Sequence, residues 1–292
     1  MKRSYRWAIA AAMVSVLLLA GCDTVHEAAQ TVKKDIQEVA AAAGDSVGNA
    51  AAGAAERLKR EGEPVELSAE GEARADTVLH IDHRVGNIRL AAGDGDAVKV
   101  KTTIWFLKER SSYRNLSEQA VTSLIPKDGQ LELITSSKED TGRNLWDWAD
   151  SKYGYSDFII DYDIELPATV AGIDVASDVG EISVDGFRGT YRIHSDVGNI
   201  VVKEGRIAGT SDIGSNAGSV ELRLNGIEEG GGLTARTDVG SIRAAFADSM
   251  KYTLKAESEL GALSGVSNGE HEINGGGPPI TLSTSVGPIN VE

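Results

Sequence analysis

One twelve-residue pattern, built around a hydrophobic-Gly pair, recurs in six stretches of this chain: 79–90, 173–184, 191–202, 233–244, 254–265 and 280–291. A weaker copy at 211–222 carries Ala217-Gly218 where the others have Val-Gly or Leu-Gly. Within a copy the apolar positions alternate, as in Ile173, Val175, Val179 and then Ile182, Val184. Period two means a strand with one buried face. The phase slips by one residue at Gly180, Gly240 and Gly287, which marks a bend or bulge where a missing Cβ is favoured. From Gly180 onward the pattern glycines are spaced 18, 20, 22, 21 and 26 residues apart, with the variation confined to the connections. A unit of about 20 residues with tolerant corners predicts an all-β solenoid of stacked two-strand rungs. In that stack Val179, Val197, Ala217, Val239, Leu260 and Val286 are expected to form one interior row. Ile182, Ile200, Val220, Ile242, Leu263 and Ile289 form another.

The N-terminus sets an address. Lys2, Arg3 and Arg6 precede an apolar run, Ala8 to Leu19, that is short for a membrane span. It ends in Leu19-Ala20-Gly21-Cys22, which resembles a bacterial lipobox and implies cleavage after residue 21 and lipidation of Cys22. Cys22 is the only cysteine of 292 residues, so no disulfide can form within the chain. Anchoring by lipid places the domain outside the cytoplasm, and Asp23 resembles an inner-membrane retention signal. After cleavage the chain carries 26 Lys and Arg against 44 Asp and Glu, a net charge of −18. That balance disfavours nucleic acid and anionic lipid headgroups as partners.

Residues 22–64 are Ala-rich and contain no Phe, Trp or Tyr. Val25, Ala29, Val32, Ile36, Val39 and Ala43 fall at alternating spacings of four and three, a helical stripe too short for a stable isolated coiled coil. A tether, flexible or in part helical, is expected here, either free or docked on a partner or on the chain itself. The β-repeat domain then spans 65–292, with an insertion at about 107–157. Ala97 to Trp105, Gln130 to Thr135 and Phe158 to Leu166 read as strands, and Ser117 to Leu124 as a short helix. The stretch Asn144 to Asp150 matches neither template.

The motif Ser-Asp-Val-Gly-x-Ile at 177–182 and 195–200, repeated as Thr-Asp-Val-Gly-Ser-Ile at 237–242, resembles the bacterial "putative adhesin" family of β-strand-repeat envelope proteins, also called the toastrack domain. The Leu166-Pro167 strand ending before the array is similar as well. The resemblance covers 65–292 and implies a right-handed, single-layered β-solenoid on the outer side of the cytoplasmic membrane, in proteins often linked to membrane-stress regulators. It implies no catalytic residues.

Asp178, Asp196, Asn216, Asp238 and Glu259 hold the same place in successive copies and would stack ~4.8 Å apart. Asp178, Asp196 and Asp238 are the candidate ligands for a cation such as Ca²⁺. Asp and Asn also hydrogen-bond their own backbone at bends, and the preferred reading is turn chemistry with no metal and no cofactor. No histidine has a nucleophile or carboxylate at a catalytic spacing; His83 points inward and His80 and His194 outward. The candidate binding group is Trp146, Trp148, Tyr153 and Tyr155, with the two tryptophans on one face of a strand, stacking on sugar rings or anchoring a protein. Capping of the stack is the competing role. The expected function is therefore a non-catalytic, membrane-anchored envelope lipoprotein that binds or scaffolds an envelope protein or cell-wall glycan, in envelope-stress response or adhesion. A carbohydrate-active β-helix enzyme and a calcium-stabilised adhesin are the alternatives. Cys22→Ser, freed of its signal segment, should move from the membrane to the soluble envelope fraction; unchanged membrane association on fractionation would refute the lipid anchor.

Overall fold

The computed structural model describes residues 46–107 and 111–292, so the expectations for Cys22, Asp23, the signal segment and the 25–43 stripe fall outside it. The first described element is α1 (Ser46–Glu61). It is followed by β1 (Glu63–Glu72), β2 (Thr77–Val85), β3 (Ile88–Ala92), β4 (Ala97–Phe106), α2 (Ser111–Gln119), β5 (Ala120–Lys127), β6 (Gln130–Ser137), β7 (Asp140–Asn144) and α3 (Leu145–Tyr153). Then come β8 (Phe158–Leu166), β9 (Val170–Val179), β10 (Ile182–Asp185), β11 (Arg188–Val197), β12 (Ile200–Ile207), β13 (Thr210–Ala217) and β14 (Val220–Ile227). The last seven are β15 (Gly232–Val239), β16 (Ile242–Phe246), β17 (Tyr252–Leu260), β18 (Leu263–Ser264), β19 (Gly269–Ile273), β20 (Pro279–Val286) and β21 (Ile289–Val291).

Each copy of the repeat supplies one strand to each of two ladders. The first arms pair in parallel in the order β2–β9–β11–β13–β15–β20–β17. The second arms do the same in the order β3–β10–β12–β14–β16–β21–β18. Register follows the pattern residue for residue: Ile81 faces Val175, which faces Ile193, then Ile213, Ala235 and Leu282. Ile88, Ile182, Ile200, Val220, Ile242 and Ile289 form the matching row of the other ladder, all fully buried. A slip of one residue would turn every one of these side chains to water, so the apolar pattern holds the register.

Two features depart from a stack in sequence order. The 79–90 copy lies directly against 173–184 although about 80 residues separate them. At the other end the 280–291 copy sits between 233–244 and 254–265, so the chain's last strands are interior to the stack.

The corner between the two ladders is a column of glycines. Gly180 N–H donates to Val197 O, Gly198 to Ala217 O, Gly218 to Val239 O and Gly240 to Val286 O, at 2.9–3.0 Å. These glycines have φ between 145° and 154°, and a Cβ on any of them would lie 1.8–2.0 Å from the carbonyl oxygen of the neighbouring corner glycine. No side chain fits there.

The expected interior row at this corner is corrected in part. Val85 and the half-buried Val179 pack not in the main core but in a second cluster with Ala55 and Leu58 of α1 and with Ile159. Leu260, at the end of the row, is 70% exposed. At Val85 and Val179 the row is covered from outside by α1, while Val197, Ala217 and Val239 are buried as expected. The segment read as a tether thus ends in a docked helix, with Lys59 and Arg60 in its last turn complementing the helix dipole.

The 107–157 insertion builds the near end of the stack. β4 is antiparallel to both β1 and β8, and β6 is antiparallel to β5 while running parallel to β2. The helix expected at 117–124 is instead α2 followed by strand β5, since Val121, Ser123 and Ile125 pair across to β6. The unassigned 144–150 stretch is α3, started by Asn144, whose side chain accepts from Asp147 N, and stopped by Gly154 at φ 79°.

Gly240→Ala should lower unfolding stability by about 3 kcal/mol or more, because neither its φ nor its neighbour's carbonyl can yield. Gly53→Ala, in α1 with nothing within 4 Å of the new Cβ, should raise it by up to about 1 kcal/mol. Urea unfolding followed by circular dichroism reads both.

Candidate functional site

The inward position two residues before each corner hydrophobic is polar in every copy. In stack order these residues are His83, Ser177, Ser195, Ser215, Thr237, Thr284 and Ser258. Four of them satisfy glycine carbonyls of the corner: Ser215 Oγ donates to Gly198 O (3.0 Å), Thr237 to Gly218 O (2.8 Å), Thr284 to Gly240 O (3.3 Å) and Ser258 to Gly287 O (2.9 Å). Buried carbonyls need such partners.

His83 does the same work at the first copy. Its Nε2 donates to Ile160 O at 2.7 Å, and Nδ1 lies 3.4 Å from Ser177 Oγ. The ring is 1% exposed, edge-on to Trp146 and to Tyr162 at 5.2 and 5.3 Å. Burial pushes its pKa down to about 4, with the nearby Lys59 ammonium acting in the same direction and Ile160 O and Asp161 opposing. A neutral imidazole with both nitrogens engaged is a structural group.

The outward residues are paired across rungs. Asp174 Oδ2 lies 3.6 Å from His80 Nδ1 and 3.3 Å from Arg192, and Arg236 reaches Asp212 at 2.8 Å. In the acidic column Asn216 Nδ2 donates to Asp196 Oδ1 at 2.8 Å, and His194 Nε2 lies 3.3 Å from the same oxygen. Among the described residues no group of three or more His, Cys, Asp or Glu is placed to hold a metal ion, Asp178, Asp196 and Asp238 included.

The aromatic group lies at the insertion-built end. Trp146 and Trp148 stand on α3 rather than on a strand and are only 3% and 5% exposed. Trp146 stacks on Phe158 at 6.0 Å and donates Nε1–H to Phe158 O at 3.3 Å. The placement on one strand face is therefore corrected: both indoles are packed inward as part of the core. Tyr153 and Tyr155 are half-buried, stacked at 6.1 Å, and Lys152 Nζ sits 4.6 Å from the Trp148 ring centre. The Tyr153 hydroxyl accepts from Asn115 Nδ2, and the Tyr155 hydroxyl is hydrogen-bonded to Ser112 Oγ. This pair, with Lys152, is the part of the group a ligand can reach.

Sequence reasoning did not find Asp161, a buried carboxylate with three donors. It accepts from Lys59 Nζ, Asn87 N and Trp105 Nε1, each at 2.8 Å, and is 7% exposed. Lys59, itself 4% exposed, also meets Glu56 at 2.8 Å. The alternation does not set Asp161 apart, because Asp163 and Glu165 hold the same outward phase of β8.

Among the described residues no helix is long and apolar enough to cross a membrane. No family model matches the chain, and no curated protein matches it. Solved structures similar to it include a "putative cell adhesion protein" from Clostridium sporogenes (16% identity, 78% of this chain and 99% of that one, TM-score 0.46). A "putative adhesin" from Bacteroides fragilis (16%, 78% and 97%, TM-score 0.38) and a "putative lipid binding protein" from Parabacteroides distasonis (14%, 80% and 97%, TM-score 0.24) are also similar. Adhesins of this kind are the group that the Val-Gly motif resembles. The architecture itself stands on the strand register above.

The buried neutral histidine has a pH consequence. Unfolded His83 takes a proton near pH 6.5, whereas folded His83 resists it until about pH 4. Stability should therefore fall as pH drops through this window, by about 3 kcal/mol at its lower end, and be regained above it. His83→Gln should lack this component, which parallel urea titrations at pH 7 and 4 would resolve.

Proposed function

We propose that this chain is a non-catalytic envelope lipoprotein, anchored through Cys22, whose right-handed β-solenoid serves as a binding or scaffold module. The observation that supports this most is the contrast between walls and end. The walls carry charges already matched to their neighbours on adjacent rungs. Exposed ion pairs of this kind give solubility and little else. The insertion-built end instead presents half-buried tyrosines over a rigid tryptophan base, and amphipathic aromatic rings on a fixed scaffold are what recognition surfaces use. The partner is an envelope protein or a cell-wall glycan, and the lipobox with Asp23 favours the cytoplasmic membrane's outer leaflet. The histidines support a non-catalytic reading: His83 is committed to a buried carbonyl, and His80 and His194 lie beside wall carboxylates.

Crosslinking in intact envelopes followed by mass spectrometry tests the proposal. It should capture a discrete partner, and Tyr153→Ala with Tyr155→Ala should reduce capture at least tenfold while the β signal in circular dichroism persists. Undiminished capture by the double variant would move the site off this end.

A further inference from the structure

We infer that the far end of the stack is an open rung site, which takes one β segment of another protein, bent at a glycine and basic along its outer face. Each inner rung has two backbone donors satisfied by the rung beyond it. One line of corner bonds ends with Gly240 N–H on Val286 O and Gly287 N–H on Leu260 O, both at 3.0 Å. The other ends with Ile242 N–H on Pro288 O and Ile289 N–H on Ala262 O, again at 3.0 Å. The next donors in these lines are Gly261 N–H and Leu263 N–H, and among the described residues no rung lies beyond them. The hydroxyl row stops at the same level. Ser258 Oγ donates to Gly287 O at 2.9 Å, and Gly261 O is the next carbonyl in that line. β19 pairs with β17 only from Tyr252 to Ala256, so the edge from Glu257 through β18 has no strand against it among the described residues. Leu260 is 70% exposed on this edge and Leu263 is half-buried. Unpaired ladder groups beside an exposed apolar side chain are a template for strand addition.

Charge selects the occupant. From Ala256 to Glu292 the chain has five Glu and no Lys or Arg. Glu257, Glu259, Glu270 and Glu272 are exposed on β17 and β19, and Lys255 meets Glu257 at 2.8 Å. A second copy is disfavoured at either of its ends. Two far ends would set these glutamates against each other. At the near end β1, which pairs only with β4, carries Glu63, Glu66, Glu70 and Glu72. Like charges directly opposite are destabilising, so the complement is a basic strand. The inner rungs dictate its other positions. Opposite Ser258 it needs a Ser or Thr, whose hydroxyl meets Gly261 O, and opposite Leu260 an aliphatic residue. Opposite Gly261 it needs Gly, because a Cβ on Gly261 or Gly287 would itself lie 1.9 Å from the preceding corner carbonyl oxygen. This site is at the opposite end of the stack from Tyr153 and Tyr155 and does not depend on them.

The probe is the labelled peptide Lys-Ser-Lys-Val-Gly-Ser-Ile-Lys, aligned with 257–264. It is added to the chain from residue 22 onward with Cys22→Ala and followed by fluorescence anisotropy. It should bind saturably, about tenfold or more tighter than the same peptide with Ala for its Gly, and than a scrambled peptide of identical charge. Glu257→Lys with Glu259→Lys should weaken binding by about tenfold with the circular dichroism unchanged. Glu66→Lys with Glu70→Lys on β1 should leave it as it was. Equal binding of the Gly and Ala peptides would reduce the effect to charge attraction and overturn the site, as would no binding at all. Dimerisation of the chain alone in sedimentation, lost in the Leu260→Asp variant, would overturn it in favour of a second copy.

Discussion

Everything in this architecture depends on how closely successive corners approach. At each rung a glycine N–H reaches the carbonyl of the residue before the next glycine, and the two backbones come so near that no Cβ fits between them. This contact brings the two ladders to a common corner at every level. It also fixes where hydroxyls must be, because the corner carbonyls face the interior and cannot meet water. Ser215, Thr237, Thr284 and Ser258 answer that constraint at four rungs, and His83 answers it where the neighbour is Ile160 rather than a glycine. An apolar row at this position would bury unpaired carbonyls at about 1–3 kcal/mol each.

The helix on the outside of the corner is held by a different kind of force. Asp161 and Lys59 form a buried ion pair, and two further donors from β3's approach and from Trp105 complete the carboxylate's shell. Such pairs add little net stability, yet losing one partner strands the other charge at a cost of roughly 3–5 kcal/mol. The pair fixes one rotational setting of α1, the setting that lays Gly48 on Gly218. A helix fixed this way at its C-terminal end has its direction along the corner decided, because small residues then face the glycines.

What the sequence made legible was whatever repeats. Alternation with a slip at glycine located both arms of each rung, and the inward direction of His83 followed from the same count. The order of the last two copies was not legible, and for a physical reason. Leu233, Ala235 and Thr237 offer the same pairing edge to Leu254, Ala256 and Ser258 as to Ile280, Leu282 and Thr284. Identical patterns carry no information about which neighbour is chosen. The corner row was read as interior because periodicity reports burial without naming what does the burying. The tryptophans were misplaced because a nine-residue helix with one capping Asn gives too few turns for a period to show.

The exchanged order of the final copies also bears on how the domain is made. A stack in sequence order can grow rung by rung from one end of the chain. Here the 254–265 copy has no parallel neighbour until the 280–291 copy arrives, since β17 and β18 pair in parallel only with β20 and β21. Until then only the antiparallel β19 supports β17. Residues 279–291 therefore act as a keystone, and the far end of the stack closes only once they are in place.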